Sequence, residues 1–456
     1  MISGKILIAN RGEIATRIAR AAAELGLATV AIFPEDDATS LHTRKTDQAI
    51  CIPGRGVAAY LDGGAVINAA QEAGANAIHP GYGFLSENAD FAKLCSDTGI
   101  VFIGPTPEQL ALFGDKHSAR QFADEHHVPT LPGTPAPTNL AEASAFLDTL
   151  GPHGAVMIKA VAGGGGRGMR PVTDADALAE TYKRCQSEAQ AAFGNGAVYV
   201  ERLVRNARHI EIQVIGDGHE VSHLWERDCS LQRRRQKIVE LAPAPNLDPT
   251  VRDQLIRASL HLADSVNYLN LGTIEFLVDQ ESGEFFFIEA NPRLQVEHTI
   301  TEEITGLNLV ELQLQIAGGM TLSDLDLTKE NVPAPRGTAM QLRINAETMS
   351  ADGSIKPAGG RLTAFEVPSG RGVRVDSYGY VGYGTNPAYD SLLAKLVVHT
   401  GSNGLAEIMN KSYRSLCEFN IAGVSTNLEF LQNLLCVDDV RAGRFDTNFI
   451  ERHAGN

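Results

Sequence analysis

Two carboxylates, Glu275 and Glu289, have a spacing that can place them side by side on neighbouring β-strands. Residues 273–279 and 285–291 are rich in β-branched and aromatic side chains, and the polar segment between them contains a glycine, which predicts a β-hairpin. If the last residue of the first strand faces the first residue of the second, Glu275 lies opposite Glu289. Like charges roughly 5 Å apart are destabilising unless a cation compensates them. Magnesium prefers oxygen ligands and binds one or two carboxylates together with nucleotide phosphates, so the hairpin predicts a magnesium–nucleotide site.

Polar side chains continue at every second position after this hairpin: Glu289, Asn291, Arg293, Gln295 and Glu297. An extended chain would point all five toward the same side. The alternative is a solvated sheet face that carries ordinary surface charges. The strict alternation next to the apolar run 285–288 favours one shared functional site.

A second chemical signal is the loop with four consecutive glycines at positions 163–166. Strands are predicted on both sides of it, over 155–160 and 170–172, whereas a Walker A loop leads from a strand into a helix. Glycines accept positive φ and let backbone N–H groups approach an anion. Because Lys159 and Arg170 flank the loop, we interpret it as a mobile flap that covers phosphates; a flexible linker is the alternative.

The chain is acidic overall, with a formal net charge of -16 and a pI near 5.3. This balance excludes nucleic acid as a general partner, since binding to its phosphates requires a basic surface. The stretch 226–237 is nevertheless dense in cations. Such a run is ordinarily a solvated face, but its contrast with the rest of the chain favours an anion-binding pocket.

Length and composition set further bounds. The 456 residues exceed what one hydrophobic core usually supports, so two to three domains are expected. A hydrophobic content of 43% and a mean hydropathy of -0.10 indicate a soluble globular protein. The six scattered cysteines predict buried free thiols in a reducing compartment. Neither a signal peptide nor a membrane-spanning stretch is recognised, so a cytoplasmic location without a membrane partner is expected.

The order of elements predicts a multidomain protein of the α/β and α+β classes. A strand over 5–9, a helix over 13–25 and a strand over 28–33 indicate the β-α-β opening of a doubly wound parallel sheet. The first turn lacks the G-x-G-x-x-G pattern, so we expect no dinucleotide there. A helix over 116–126 and the proline-rich segment 129–137 mark the boundary of this first domain.

Motifs along essentially the whole chain resemble those of the biotin carboxylase component of biotin-dependent carboxylases, members of the ATP-grasp superfamily. The matching segments are 9–15 (ANRGEIA), 79–88 (HPGYGFLSEN), 114–116 (GDK), the glycine loop 163–169, 226–230 (ERDCS), 289–298 (EANPRLQVEH) and 389–392 (YDSL). The resemblance implies an ATP-grasp fold divided into an N-terminal Rossmann-like domain (1–115), a helical linker (116–130), a mobile lid with a glycine-rich flap (131–204) and a larger C-terminal domain (205–456). It also implies a reaction: ATP and bicarbonate give carboxyphosphate, and the carboxyl group passes to the ureido nitrogen of biotin.

The resemblance further implies which residues form the site. The ATP contacts would be Lys116, Lys159, His209, Gln232 and the backbone of Gly164, Gly165 and Gly166, with Glu201 and the backbone near Val204 at the adenine. Magnesium, or manganese, would be held by Glu275 and Glu289, with Asn291 in the same neighbourhood. Bicarbonate would be surrounded by Lys237, Arg293, Gln295 and Val296. Glu297 would be the catalytic base, and Arg343 would lie at the ureido oxygen of biotin.

Three positions depart from the family pattern: Arg167, Arg235 and Gln341, where Lys, His and Glu are usual. The first two keep or raise the positive charge, so we expect ATP binding to survive. Gln341 lies two residues from Arg343 and therefore bears on the biotin contact.

Partners and rival functions follow from the same comparison of motifs. Because the chain contains no Ala-Met-Lys-Met biotinylation motif, the resemblance implies a separate biotin carboxyl carrier protein or domain and a carboxyltransferase component, and it leaves a homodimer open. The final acceptor would be an acyl-CoA or pyruvate. Another ATP-grasp ligase, joining a carboxylate to an amine, fits the flap and the glutamate pair equally well; only segment 293–297 and Arg343 favour bicarbonate and biotin. A nucleotide sensor without catalysis is disfavoured because Glu275, Glu289 and Lys159 are all present.

Overall fold

The computed structural model describes residues 4–152, 154–161, 168–349 and 355–453. Its N-terminal part is a parallel sheet flanked by helices. The strands are β1 (Lys5–Ile8), β2 (Ala28–Phe33), β3 (Gln48–Cys51), β4 (Ala77–His79) and β5 (Val101–Phe102), and the helices are α1 (Gly12–Glu24), α2 (Gly56–Tyr60), α3 (Gly63–Ala73), α4 (Ala89–Asp97) and α5 (Pro107–Gly114). The strand order is β3-β2-β1-β4-β5. Ile6 and Ile8 pack into one buried cluster and Leu7 into another, so both faces of the sheet are covered, as a parallel sheet requires. The Rossmann-like opening is confirmed.

The lid is a small antiparallel sheet backed by two helices. Its elements, after the connecting helix α6 (Lys116–Glu125), are α7 (Leu140–Thr149), β6 (Val156–Ala160), β7 (Met169–Val172), α8 (Leu178–Phe193) and β8 (Val198–Arg202). The strands pair in the order β7-β6-β8 and bury their own apolar cluster against α7 and α8. The flap residues Gly164, Gly165, Gly166 and Arg167 lie outside the described residues, so the strand–loop–strand prediction is seen only in its two strands.

The remainder is organised around an eight-stranded sheet. Its elements begin with β9 (Ala207–Asp217), β10 (Val221–Arg233), β11 (Gln236–Ala242), α9 (Pro249–Asp264), β12 (Leu269–Asp279), β13 (Phe285–Asn291), α10 (His298–Thr305), α11 (Leu309–Ala317) and β14 (Thr338–Asn345). They continue with β15 (Glu347–Met349), β16 (Ile355–Pro357), β17 (Gly360–Arg361), β18 (Ala364–Glu366), β19 (Val373–Ser377), β20 (Gly384–Thr385), β21 (Leu392–Thr400), α12 (Leu405–Cys417), β22 (Asn420–Ala422), α13 (Leu428–Leu434), α14 (Asp438–Arg441) and α15 (Phe449–His453). The large sheet has the order β13-β12-β9-β10-β11-β14-β21-β19, and all its pairs are antiparallel. Among the described residues no helix is long and apolar enough to cross a membrane.

Strands β12 and β13 form the hairpin that the sequence predicts, and Glu275 is the strand partner of Glu289. The expected register at the turn is wrong, because Val278 rather than Asp279 pairs with Phe285. A β-bulge leaves Ile288 as an extra residue and restores the glutamate pairing beyond it. The strand ends at Asn291 because Pro292 follows and has no N–H to donate. The polar alternation therefore does not continue as an extended strand to Glu297.

A buried arginine connects the N-terminal sheet to the C-terminal part. Arg11 forms a two-pronged ion pair with Asp37 at 2.6 and 2.8 Å, and its guanidinium lies 4.0 Å from the centre of the Tyr389 ring. Tyr60 donates to the same carboxylate at 2.7 Å. Arg11 and Asp37 are both nearly inaccessible to solvent. A buried charge of this kind depends on its partner, because hydration no longer compensates it.

We therefore expect Asp37→Ala to lower the free energy of unfolding by about 3–5 kcal/mol, since it leaves the Arg11 charge buried and unpaired. The midpoint of urea denaturation, followed by circular dichroism, measures this change. Glu35→Ala is the matched control, because Glu35 pairs with Arg55 at 3.5 Å on the exposed surface of the same region. Equal midpoints for the Asp37→Ala and Glu35→Ala variants would contradict a stabilising role for the buried pair.

Candidate active site

Glu275 lies at the centre of the site and accepts hydrogen bonds from four side chains. The donors are Lys237 Nζ (3.0 Å), His209 Nε2 (2.5 Å), Asn291 Nδ2 (2.7 Å) and Gln295 Nε2 (2.8 Å). Strands β9 and β13 flank β12, which places His209 and Asn291 on either side of Glu275. Burial opposes ionisation of Glu275, but Lys237 and His209 outweigh it and hold the pKa of this carboxyl well below its ordinary value.

His209 is oriented by Gln232, whose Nε2 donates to Nδ1 of the imidazole at 2.6 Å. With Nδ1 acting as acceptor, the ring proton resides on Nε2 and is directed at Glu275. The predicted nucleotide contacts His209 and Gln232 therefore form one chain that ends on the central carboxylate. Both side chains are largely buried.

Lys237 joins three buried carboxylates. Its ammonium lies 2.6 Å from Glu211 Oε2, 3.0 Å from Glu275 Oε1 and 2.6 Å from Glu297 Oε1. Burial opposes its charge, but the three carboxylates outweigh this effect and raise the pKa of Lys237 well above its ordinary value. The ammonium is therefore charged throughout the physiological pH range.

Glu297 is fully buried between two cations, Lys237 and Arg343. The Arg343 Nη2 donates to Glu297 Oε2 at 3.0 Å and thus leaves Oε1 to Lys237. Burial raises the pKa of Glu297, but Lys237, Arg343 and Arg227 outweigh it, so the net shift is downward. The carboxylate is therefore ionised, which is the state that a proton acceptor requires, and the three cations lower its basicity.

The segment 293–297 lies beyond the end of β13 and contacts Glu275 and Lys237 through Gln295 and Glu297. Arg293 contacts Asn291 Oδ1 at 3.0 Å and Gln295 Oε1 at 3.3 Å, and it forms an ion pair with Glu87 at 2.9 Å. The carbonyl of Val296 accepts from the buried Lys395 at 3.0 Å. The helix at positions 89–97 begins after Asn88 as its N-cap, so Glu87 is free to reach the site from the N-terminal domain.

Glu289 pairs with Lys116 at 2.5 Å, and Asn291 Nδ2 lies 3.5 Å from Glu289 Oε1. The two opposed carboxylates supply oxygen ligands that fit Mg²⁺ or Mn²⁺, whereas Asn291 presents Nδ2 to both carboxylates and Oδ1 to Arg293. Each carboxylate is paired with protein cations in this structure, so a metal would replace part of those contacts. Assignment of Glu275, Glu289 and Asn291 as metal ligands stays a prediction.

The lid places its predicted nucleotide contacts on β6 and β8. Lys159 forms an ion pair with Glu201, and Arg120 of α6 donates to the same carboxylate. Val204 is buried just beyond β8, in an apolar cluster with Leu131. Lys159 is therefore held by a carboxylate on the neighbouring strand.

Two buried residues were missed by sequence reasoning. Glu211 is fully buried, is the strand partner of Glu275, and is paired with Lys237 and with Arg227 at 2.5 Å. Glu240 is fully buried and lies 2.6 Å from Arg343. The alternating polar residues of β9 carry a signal for Glu211, whereas Glu240 lies in a largely apolar stretch that gives none.

The large antiparallel sheet with its cluster of buried carboxylates, together with the small lid sheet, is the architecture of the ATP-grasp class of proteins. Comparisons with protein families support this assignment to the ATP-grasp class. Residues 2–110 match the biotin carboxylase N-terminal domain, 115–325 the ATP-binding domain of the carbamoyl-phosphate synthase L chain, and 341–452 the biotin carboxylase C-terminal domain. The chain belongs to the biotin carboxylase family, whose members are ATP-dependent ligases.

Individual relatives give the same result. The chain is 48% identical over 455 residues to human mitochondrial pyruvate carboxylase. The matched region covers 98% of this chain and 38% of that protein. The biotin carboxylase domain of a single-chain bacterial carboxylase is 47% identical with a TM-score of 0.88, covering 99% of this chain and 97% of that one. The corresponding domain dimer of Hydrogenobacter thermophilus 2-oxoglutarate carboxylase, described in complex with MgADP, ADP and bicarbonate, is 39% identical with a TM-score of 0.91 over 99% and 98%. The chain thus spans under half the length of the pyruvate carboxylases it matches.

Proposed function

We propose that this chain uses ATP to carboxylate biotin with bicarbonate, by way of carboxyphosphate. The observation that carries the proposal is Glu297, a buried, ionised carboxylate fixed between Lys237 and Arg343. A carboxylate–amine ligase would bind an amine, which is a cation when protonated, and the two cations that flank Glu297 disfavour such a ligand. They favour bicarbonate, an anion that becomes a nucleophile only when its remaining proton is removed.

The roles of the surrounding residues follow from their charges. Glu297 would take the proton of bicarbonate, while Lys237 and Arg293 would favour the resulting dianion. Gln295 and the backbone of Val296 would complete the anion pocket. Arg343 would stabilise the negative charge that develops on the ureido oxygen of biotin when its N–H proton is lost.

The nucleotide would bind between the lid and the large sheet. Lys116, Lys159, His209 and Gln232 would contact ATP, with Glu201 and Val204 at the adenine. Glu275, Glu289 and Asn291 would hold Mg²⁺ or Mn²⁺, which supplies charge neutralisation on the transferred phosphoryl group when bound. The MgADP and bicarbonate described in a relative of 39% identity support this set of ligands.

The acceptor side of the reaction concerns partners outside this chain. A biotin carboxyl carrier protein or domain would deliver biotin, and a carboxyltransferase component would use the product. The relatives at 46–49% identity named as pyruvate carboxylases favour pyruvate over an acyl-CoA as the final acceptor. A homodimer is supported by the dimer described for the 2-oxoglutarate carboxylase domain. A cytoplasmic location stays a prediction, since one relative is named as mitochondrial.

Phosphate release from ATP, measured without and with bicarbonate and then with free biotin, tests the proposal. We expect release to depend on bicarbonate, and carboxybiotin to form when biotin is added. Phosphate release that depends on an amine and another carboxylate, but not on bicarbonate, would instead establish the alternative ligase. ATP binding without phosphate release under any of these conditions would exclude both.

Arg235 provides a prediction specific to this chain. It lies in the turn between β10 and β11, with φ of 64°, and its guanidinium lies 3.4 Å from the sulfur of Met157 on lid strand β6. Arg235→His should therefore change the KM for ATP more than kcat, because an imidazole is shorter and donates differently at the lid contact. Steady-state kinetics at saturating bicarbonate measures both. A change confined to kcat would contradict this placement of the residue.

A further inference from the structure

Arg343, the residue that would face biotin, is held by a chain of buried polar groups. Its Nε donates to Glu240 Oε1 at 2.6 Å, and its Nη2 lies 2.6 Å from the same oxygen and 3.0 Å from Glu297 Oε2. Glu240 is on β11 and is the strand partner of Gln341 on β14. Since Gln341 and Arg343 are two residues apart on one strand, their side chains share a face. All three groups therefore meet beside the proposed biotin contact.

The hydrogen bonds of this chain fix the orientation of each member. Gln341 Nε2 donates to Glu240 Oε2 at 3.0 Å, and Gln341 Oε1 accepts from Thr299 Oγ1 at 2.5 Å. An ionised carboxylate only accepts, so the amide nitrogen must face Glu240 and the amide oxygen must face the hydroxyl. Glu240 and Gln341 are fully buried. A buried polar network with every partner in place is rigid and specifies one geometry.

We propose that Glu240 and Gln341 are positioning residues that aim the Arg343 guanidinium at the acceptor, and that Gln341 serves as the neutral donor that lets Glu240 remain ionised. The inference rests on the proposed function for the identity of the acceptor. Neither residue touches the reacting atoms. Glu240 provides a second anionic anchor, so that Arg343 does not collapse onto Glu297 alone.

The neutral amide matters because of the charges already present. The charged and titratable groups that face Glu240 are Arg343 on β14, Glu297 before α10 and Cys229 on β10, while Lys395 on β21 is the strand partner of Arg343. Burial raises the pKa of Glu240, with Glu297 adding to the shift and Arg343 opposing it. A third carboxylate 3 Å from Glu240 could not ionise freely, because two close carboxylates share one proton.

The first test replaces the anchor charge. Glu240→Gln keeps the size of the side chain, and we expect the ratio of carboxybiotin formed to phosphate released to fall roughly ten- to hundred-fold, as for a misplaced catalytic group. Glu302→Gln is the matched control, since Glu302 is a buried glutamate that pairs with Arg17 at 2.7 Å and with Arg374 at 2.8 Å and is not one of the proposed site residues. The control should keep the parent ratio. Thermal unfolding of both variants separates this effect from a loss of fold.

The second test introduces a proton. In Gln341→Glu the new carboxyl group should stay protonated at low pH and donate to Glu240 as the amide does, giving a ratio close to that of the parent. As the pH rises, loss of the shared proton should add a negative charge beside Arg343 and lower the ratio of carboxybiotin to phosphate. The unsubstituted chain should show no such pH-dependent fall in this ratio. A purely structural role would lower stability without creating a new titration in the ratio.

The outcomes separate this proposal from the function itself. If the parent chain forms no carboxybiotin from free biotin, the proposed function fails. If the parent forms it, and both Glu240→Gln and Gln341→Glu keep the parent ratio between pH 6 and 9, the positioning role is overturned. A lowered ratio in Glu240→Gln, together with a pH-dependent ratio in Gln341→Glu, supports it.

Discussion

Glu297→Ala is expected to abolish bicarbonate-dependent ATP cleavage, with biotin carboxylation lost as a consequence. The carboxylate is the only proposed base beside the anion pocket, and general-base catalysis contributes typically 10²–10⁴-fold. Removing it also frees Lys237 and Arg343 from one partner each, but Lys237 keeps Glu211 and Glu275, and Arg343 keeps Glu240. The buried cations therefore remain compensated, so we expect a folded, inactive protein. Phosphate release with and without bicarbonate measures the loss.

Arg343→Ser should impair the second half of the reaction, the transfer of the carboxyl group to biotin. Bicarbonate-dependent phosphate release should largely persist, because Glu297 keeps Lys237 and loses a cation that lowers its basicity. Carboxybiotin should form poorly, because the ureido oxygen loses its charge partner. Measuring phosphate and carboxybiotin together in both variants separates the two steps.

Arg252→Ser is the control for Arg343→Ser, since Arg252, on α9, also pairs with a buried glutamate of the same sheet but is not one of the proposed site residues. It should change neither product. Parallel loss of both activities in Arg343→Ser, or a retained ATPase in Glu297→Ala, would show that the two roles are wrongly assigned.

The sequence predicted the arrangement best where one local rule decides it. Glu275 opposite Glu289 needs only a hairpin and a period of two, and the structure confirms the pairing. It does so by way of a bulge at Ile288, because backbone bonding within the turn joins Asp279 to Glu284. Bulges depend on the fit of a strand to its neighbours, so local pattern does not show them.

Groups brought from distant strands could not be located in this way. Glu211 and Glu240 reach the site because β9 lies beside β12 and β11 beside β14, and strand order is a property of the whole sheet. The polar residues 293–297 converge for a different reason than predicted. After Asn291 the chain leaves the sheet, and hydrogen bonds to Glu275 and ion pairs to Glu87 and Lys237 hold the segment in place. The domain boundaries and the roles of the site residues stay predictions.

Glu275→Gln and Glu289→Gln are each expected to lower turnover at least about 100-fold while the protein stays folded, because each removes a negative charge that the metal and phosphates require. The fold should survive, since Lys237 retains Glu211 and Glu297 in the first variant, while in the second the partly exposed Lys116 can be hydrated. The two variants should lose turnover for different reasons. Glu275 also orients His209, Asn291 and Gln295, so its replacement disturbs both the metal and the anion pocket, and added Mg²⁺ should not restore turnover.

Glu289 is bonded only to Lys116 and, weakly, to Asn291 within the described part of the chain. Its replacement should therefore act mainly through metal affinity, and raising the Mg²⁺ concentration should recover part of the activity. Glu284→Gln is the matched control, because this glutamate lies in the same hairpin, is largely exposed and pairs with Arg202 at 3.5 Å. ATPase measured over a range of Mg²⁺ concentrations distinguishes the three variants. If either Glu275→Gln or Glu289→Gln kept nearly the activity of the unsubstituted chain at low Mg²⁺, the assignment of the opposed glutamates as metal ligands would be wrong. A site that binds a divalent cation through two carboxylates loses affinity when one of the two charges is removed.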